Sequence, residues 1–144
     1  MAIARTVDRR LFFLLDRAHI QLSQNAEAVL SQGSQLGRAQ AAVLIYLGYH
    51  DGCSLSELAE GTGRKNAAIS GLVDRMITAD LIERQNSYGD RRTRTVHLTD
   101  AGWKRRERVM EDFRDFNTKL IKGFNEAEVE VIVRFLSRSV ENTK

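Results

Sequence analysis

The chain has 144 residues, 42% of them hydrophobic and 28% charged, with no proline and one cysteine. That composition excludes wholesale disorder and a proline-rich linker, and it leaves room for one domain with a modest core but none for a separate catalytic domain. The net charge is only +3, yet residues 84–108 carry eight basic residues against three acidic ones, so the rest of the chain is slightly acidic; such a basic patch is the footprint of a polyanion binder.

At the N-terminus, basic residues precede the apolar run Leu11–Leu15. Charge returns at Asp16 and Arg17 before a secretion signal of ordinary length is complete, so the stretch reads as the start of a helix in a cytoplasmic protein. The longest apolar run, Ala41–Leu47, falls far short of the roughly 20 residues that cross a bilayer, and no membrane partner is expected. The lone Cys53 cannot form an internal disulfide.

From Thr6 to Ser31, apolar residues at Val7, Leu11, Leu15, Ala18, Leu22 and Val29 recur at helical spacing and predict one long amphipathic helix. Phe12, Phe13 and Leu14 widen its stripe beyond one contact surface. Either a partner subunit covers the excess or the aromatics fill the monomer's own core. Gln32-Gly33-Ser34 reads as a turn, a second helix runs from Arg38 to about His50, and Asp51-Gly52 ends it. Ser54 and Glu57 have the spacing of a capping box, which predicts a short helix over Leu55–Glu60 and a turn at Gly61-Thr62-Gly63.

Between Arg64 and Thr78, Ala68, Ile69, Leu72, Val73, Met76 and Ile77 repeat at helical spacing and leave Lys65, Asn66, Ser70, Asp74 and Arg75 on the other faces. Gly71 in mid-helix costs roughly 1 kcal/mol relative to alanine, so either close packing or close approach to a ligand requires bare backbone there. Asp80 is placed to end the helix in the left-handed conformation. Leu81-Ile82 and Val96–Leu98 flank a polar tip with Asn86, Ser87 and Gly89, followed by Arg91, Arg92 and Arg94, which predicts a basic β-hairpin. Thr99 caps a long helix from Asp100 to about Lys122, Gly123 interrupts, and a last helix covers Glu126–Ser139 with Val129, Ile132, Val133 and Leu136 on one face.

Two short helices joined by a glycine turn and followed by a basic hairpin are a winged helix-turn-helix, so the fold class is mainly α with a small β-hairpin wing. The second helix of the pair is then the recognition helix for a major groove of double-stranded DNA. The long terminal helices exceed what such a core needs, and dimerisation is the simplest way to bury their apolar faces. The basic run Lys104–Arg108 fits a solvated surface as well as a phosphate contact. His19, His50 and His97 lack metal-ligand spacing, and no phosphate loop, GxSxG or HExxH motif is present, so no metal, cofactor or catalytic residue is expected. Cys53 lies beside a helix start that would lower a thiol pKa; the other reading is an ordinary small residue in a turn.

Leu58-Ala59-Glu60, Gly63, Leu72-Val73-Asp74-Arg75, Leu81-Ile82 with Arg84, Asp90-Arg91-Arg92, and Leu98-Thr99 with Gly102 together make the chain resemble the MarR (multiple antibiotic resistance regulator) family of transcription factors, some of which are thiol-based peroxide sensors. The resemblance implies one domain over 1–144, with a winged core at about 38–98 and a dimerisation region built from about 6–31 and 99–140. It implies a homodimeric regulator, a repressor released by a small-molecule effector, on a pseudo-palindromic operator. It puts Arg92 in the minor groove with Asp90 holding it and Asp74 as a second wing anchor. Lys65, Ala67, Ala68 and Gly71 depart from the family's more polar recognition helix. Arg64, Lys65, Asn66 and Ser70 remain as direct contacts, with Arg91 and Arg94 on the wing. The alternative is a winged-helix dimer scaffold or protein-interaction module without specific DNA reading.

Overall fold

The structure, a computed structural model, describes residues 9–86 and 94–144. Its elements run α1 (Leu11–Gln32), α2 (Arg38–Tyr49), β1 (Cys53–Ser54), α3 (Leu55–Thr62), α4 (Asn66–Thr78), β2 (Ile82–Asn86), β3 (Arg94–Leu98), α5 (Asp100–Leu120) and α6 (Glu126–Asn142). The chain divides into two compact units, one ending at Asp112 and the other spanning Phe113–Lys144.

The first unit holds the core. Leu44 and Leu47 of α2, Leu58 of α3, Ile69, Val73 and Met76 of α4, and Val96 of β3 are completely buried, together with Leu30 of α1 and Val109 of α5. Each contributes about 1.5–3 kcal/mol relative to an exposed side chain. The helical positions repeat every three or four residues, so each helix turns one stripe inward. A short antiparallel sheet in the order β1-β3-β2 closes the unit. In its register Ile82 faces Leu98 and Arg84 faces Val96, while Cys53 faces Val96 on the other edge.

Local chemistry sets the boundaries. The Ser54 hydroxyl accepts from the Glu57 amide at 3.2 Å and the Glu57 carboxylate accepts from the Ser54 amide at 2.7 Å, which starts α3 as a capping box. Gly63, at φ 66°, ends it in the left-handed region. Asp80 occupies the same region at φ 58°. The Thr99 hydroxyl caps α5 by accepting from the Gly102 amide at 3.0 Å and itself donates to the Asp80 carbonyl at 2.6 Å.

Several expectations are corrected. The turn expected at Gly61 is absent, because α3 continues to Thr62; Gly61 is inside the helix with the Tyr46 ring lying where a Cβ would be. The recognition helix begins at Asn66 instead of Arg64, with Lys65 as its extended N-cap. Ala68 is exposed instead of belonging to the buried stripe. The wing is a hairpin extended by a third strand, β1, whose two residues were read only as a turn and a cap. The last helix runs on to Asn142, started by a capping box between Asn125 and Glu128 that the sequence reading missed.

The α1–α2 turn is tied to α5 within the first unit. The Asp112 carboxylate accepts from the Ser34 amide at 2.9 Å, and Arg105 donates to the Ser34 carbonyl at 2.9 Å. In the second unit α6 has no buried residue; Val133 is 57% and Val140 59% exposed. A groove of about 490 Å³ lies along Ile121, Phe124, Val129 and Val133, edged by Glu130 and Arg134.

Candidate nucleic-acid interface

The helix pair and the wing meet at one ion pair. Asp74, on the exposed side of α4, reaches β2 and holds the Arg84 guanidinium at 2.8 Å. Arg84 is half-buried, and its Nε is buried with no hydrogen-bond partner among the described residues. The Asp74 contact therefore supplies the guanidinium's anionic partner and fixes the strand that carries the wing relative to α4. The sequence reading proposed Asp74 as an anchor; it did not identify Arg84 as the group anchored, although Arg84 stood in the same motif set.

The wing is held from its other face by Asp51, at the α2–β1 turn. Its carboxylate accepts from the Leu98 amide at 2.8 Å and stands 3.8 Å from Nδ1 of His97. Nε2 of His97 lies 2.9 Å from the Thr95 hydroxyl, which donates to the Gln85 carbonyl at 3.2 Å. The chain of contacts thus links the α2–β1 turn to β3 and, through Thr95, β3 to β2. Among the described residues no group of His, Cys, Asp and Glu is placed to hold a metal ion.

At the start of α4 the structure gathers Arg64, Lys65 and Asn66, with Ser70 one turn on. They differ in availability. Arg64 donates to the Thr62 carbonyl at 3.1 Å and is half-buried, Lys65 and Asn66 are exposed, and Ser70 is half-buried. Arg94 opens β3 and is exposed. Asp90, Arg91 and Arg92 lie outside the described residues.

The second basic run is occupied internally. Besides the Arg105 bond to Ser34, Arg106 stacks over the rings of Tyr49 at 5.0 Å and Trp103 at 5.8 Å. Arg108 pairs with Glu111 at 3.4 Å and with Asp112 at 3.5 Å. Lys104 is exposed and has no ion-pair or hydrogen-bond partner among the described residues, whereas the three arginines each have a partner within the fold.

Cys53 is buried in β1, 8% exposed. Burial first, and then the Glu57 carboxylate, pushes its thiol up, opposite to the lowering expected from the adjacent helix start. A buried, protonated thiol is a poor nucleophile. Cys53 is therefore expected to react with a disulfide reagent at least about tenfold more slowly in the folded chain than in urea; equal rates, followed by thiol release at pH 8, would contradict this. The raised pKa also stabilises the fold below the unfolded thiol's pKa, and this contribution fades as pH rises through the folded value.

A short helix leading to an exposed helix, with a clamped three-stranded wing beside it, defines a winged helix-turn-helix protein. The comparisons with known proteins agree. Residues 34–93 match the model of the MarR family. The HTH-type transcriptional repressor IacR of Pseudomonas putida is 30% identical over 125 residues, covering 87% of this chain and 74% of that protein. BpsR of Bordetella bronchiseptica, solved in a study of the regulation of its DNA binding by 6-hydroxynicotinic acid, is 27% identical with a TM-score of 0.77, over 92% of this chain and 99% of that one. The S. aureus MepR–DNA complex shares the fold at 22% identity and a TM-score of 0.84, over 95% of this chain and 100% of that one. The chain belongs to the MarR family, whose members are transcription factors and not enzymes.

Proposed function

We propose that the chain is a homodimeric repressor that binds a pseudo-palindromic site on double-stranded DNA. The observation that carries this reading is the Asp74–Arg84 pair at 2.8 Å, which joins the exposed helix and the wing into one rigid reading head. In it α4 enters the major groove, and the wing follows into the adjacent minor groove, where narrow A·T-rich segments concentrate negative potential. Arg92 is the minor-groove arginine and Asp90 orients it. Arg91 and Arg94 supply further wing contacts, and Lys65, Asn66, Arg64 and Ser70 contact the duplex from the start of α4.

Two further parts of the proposal concern assembly and control. The dimerisation region comprises about 6–31 and 99–140, and the protein works in the cytoplasm; no helix among the described residues is long and apolar enough to cross a membrane. A small-molecule effector releases the DNA by binding better to a dimer geometry in which the two α4 helices no longer match successive major grooves. The naming of IacR as a repressor supports the repressor reading, and the BpsR study with 6-hydroxynicotinic acid supports a small-molecule effector.

The test is a titration of labelled duplex DNA at several salt concentrations. Affinity is expected to fall roughly 10³-fold between 50 and 200 mM salt, as phosphate neutralisation requires. Arg92→Ala is expected to weaken binding by about tenfold or more. Salt-independent or absent binding would favour a winged-helix scaffold that does not read DNA.

A further inference from the structure

Gly71 sits in the middle of α4 at a cost in helix propensity, and the fold supplies no reason for it. A Cβ built there would meet one atom, Nη1 of Arg75, at 3.7 Å, an ordinary contact. This differs from Gly48, Gly61 and Gly102, where a Cβ would overlap Arg106, Tyr46 and the Leu81 carbonyl respectively. Among the described residues nothing needs residue 71 to be bare.

Its place on the helix points outward. At about 100° per residue, position 71 lies opposite the buried stripe of Ile69, Leu72, Val73 and Met76. Asp74 and Arg75 flank that outward line, and both are exposed. Asp74 is committed to Arg84 at 2.8 Å. Arg75 has no acidic partner within ion-pair distance among the described residues. Side chains on a helix lean toward its N-terminus, and accordingly Arg75 lies back over Gly71, as the 3.7 Å approach records.

We infer that Gly71 and Arg75 form the base-reading point of α4: the missing side chain lets the helix backbone come close to the floor of the groove, and Arg75 presents its guanidinium there to a guanine. A bare backbone position is the usual means of close approach to a ligand, and an arginine fork matches guanine O6 and N7 in two parallel hydrogen bonds. The inference rests on the proposed DNA binding through α4 and names the residues that specify sequence. It moves that role away from Arg64, which is bonded to Thr62.

The experiment begins with a duplex enriched from a random-sequence library by the purified full-length protein. Gly71→Ala is expected to raise the melting temperature by about 2–6 °C while weakening binding to that duplex at least tenfold. Replacing one guanine per half-site with 7-deazaguanine, which removes N7 alone, is expected to cost wild-type protein roughly 5- to 10-fold and Arg75→Ala nothing further. Arg75→Lys is expected to retain binding to a scrambled duplex but lose the preference for the enriched one. Unchanged affinity in Gly71→Ala, or an Arg75→Ala loss that is equal on enriched and scrambled duplexes, overturns the inference while leaving DNA binding intact. A wild-type protein that enriches no duplex removes the underlying proposal instead.

Discussion

Gly102→Ala is expected to destabilise the first unit by about 4 kcal/mol or more, a large share of the roughly 5–15 kcal/mol that holds a domain of this size. A Cβ on residue 102 would overlap the backbone carbonyl of Leu81 and press on Leu98 Cδ2 at 3.2 Å. Backbone cannot swing aside as a flexible side chain does. The Leu81 carbonyl is also held in place, since it accepts from the Thr99 amide at 3.2 Å. Thr99 in turn caps α5 through Gly102 at 3.0 Å. Relief of the overlap thus requires moving the start of α5 away from the β2 side and breaking its cap, itself worth about 1 kcal/mol. Urea unfolding at one fixed protein concentration measures the loss. Gly63→Ala serves as the comparison: it is strained by its φ of 66°, with no atom of the described residues within 4 Å of the added Cβ, and is expected to cost about 1–2 kcal/mol. If the two substitutions cost the same, the close approach of α5 to Leu81 is not what fixes glycine at 102.

The same glycine shows what can be read from sequence and what cannot. Thr99 as a cap, Ser54 with Glu57 as a capping box, and Asp80 in the left-handed region were legible because the partners lie within a few residues of one another. Gly61 was not, since it looks like turn punctuation and owes its place to Tyr46 from a different helix. The strand β1 was hidden for a similar reason: Cys53 pairs with Val96, more than forty positions along, and two residues carry no alternation of their own. The basic run Lys104–Arg108 could be counted but not assigned, because Ser34 and Tyr49, which engage Arg105 and Arg106, are far away in sequence. For the interface, the anchor Asp74 was legible from its motif, while its partner Arg84 and the approach of Arg75 over Gly71 were visible only in the fold.

The excess of apolar surface at the two chain ends was also legible, and it leads to the second large expected effect. Replacing Val133 and Leu136 together with glutamate is expected to convert the proposed dimer to a species of the 16.3 kDa chain mass and to weaken DNA binding about 100-fold or more, because two half-sites would no longer be engaged by one linked molecule. Both residues are exposed within the chain, Val133 at 57% and Leu136 at 49%, so the substitutions themselves bury no charge and leave α6 with good helix formers. In a two-fold symmetric interface the same patch meets itself, and four new carboxylates would be brought together where the dimer must exclude water. Val140 continues the same face at 59% exposed, and Phe124, Val131 and Phe135 add further apolar surface at 39–54%, of the kind that marks an interaction site. Light scattering checks the mass and the duplex titration checks the affinity. Mixing the glutamate variant with one carrying lysines at the same two positions is expected to restore both, since opposite charges then face each other across the axis. A wild-type mass equal to one chain, or a glutamate variant with undiminished mass and affinity, would show that α6 does not hold two copies together.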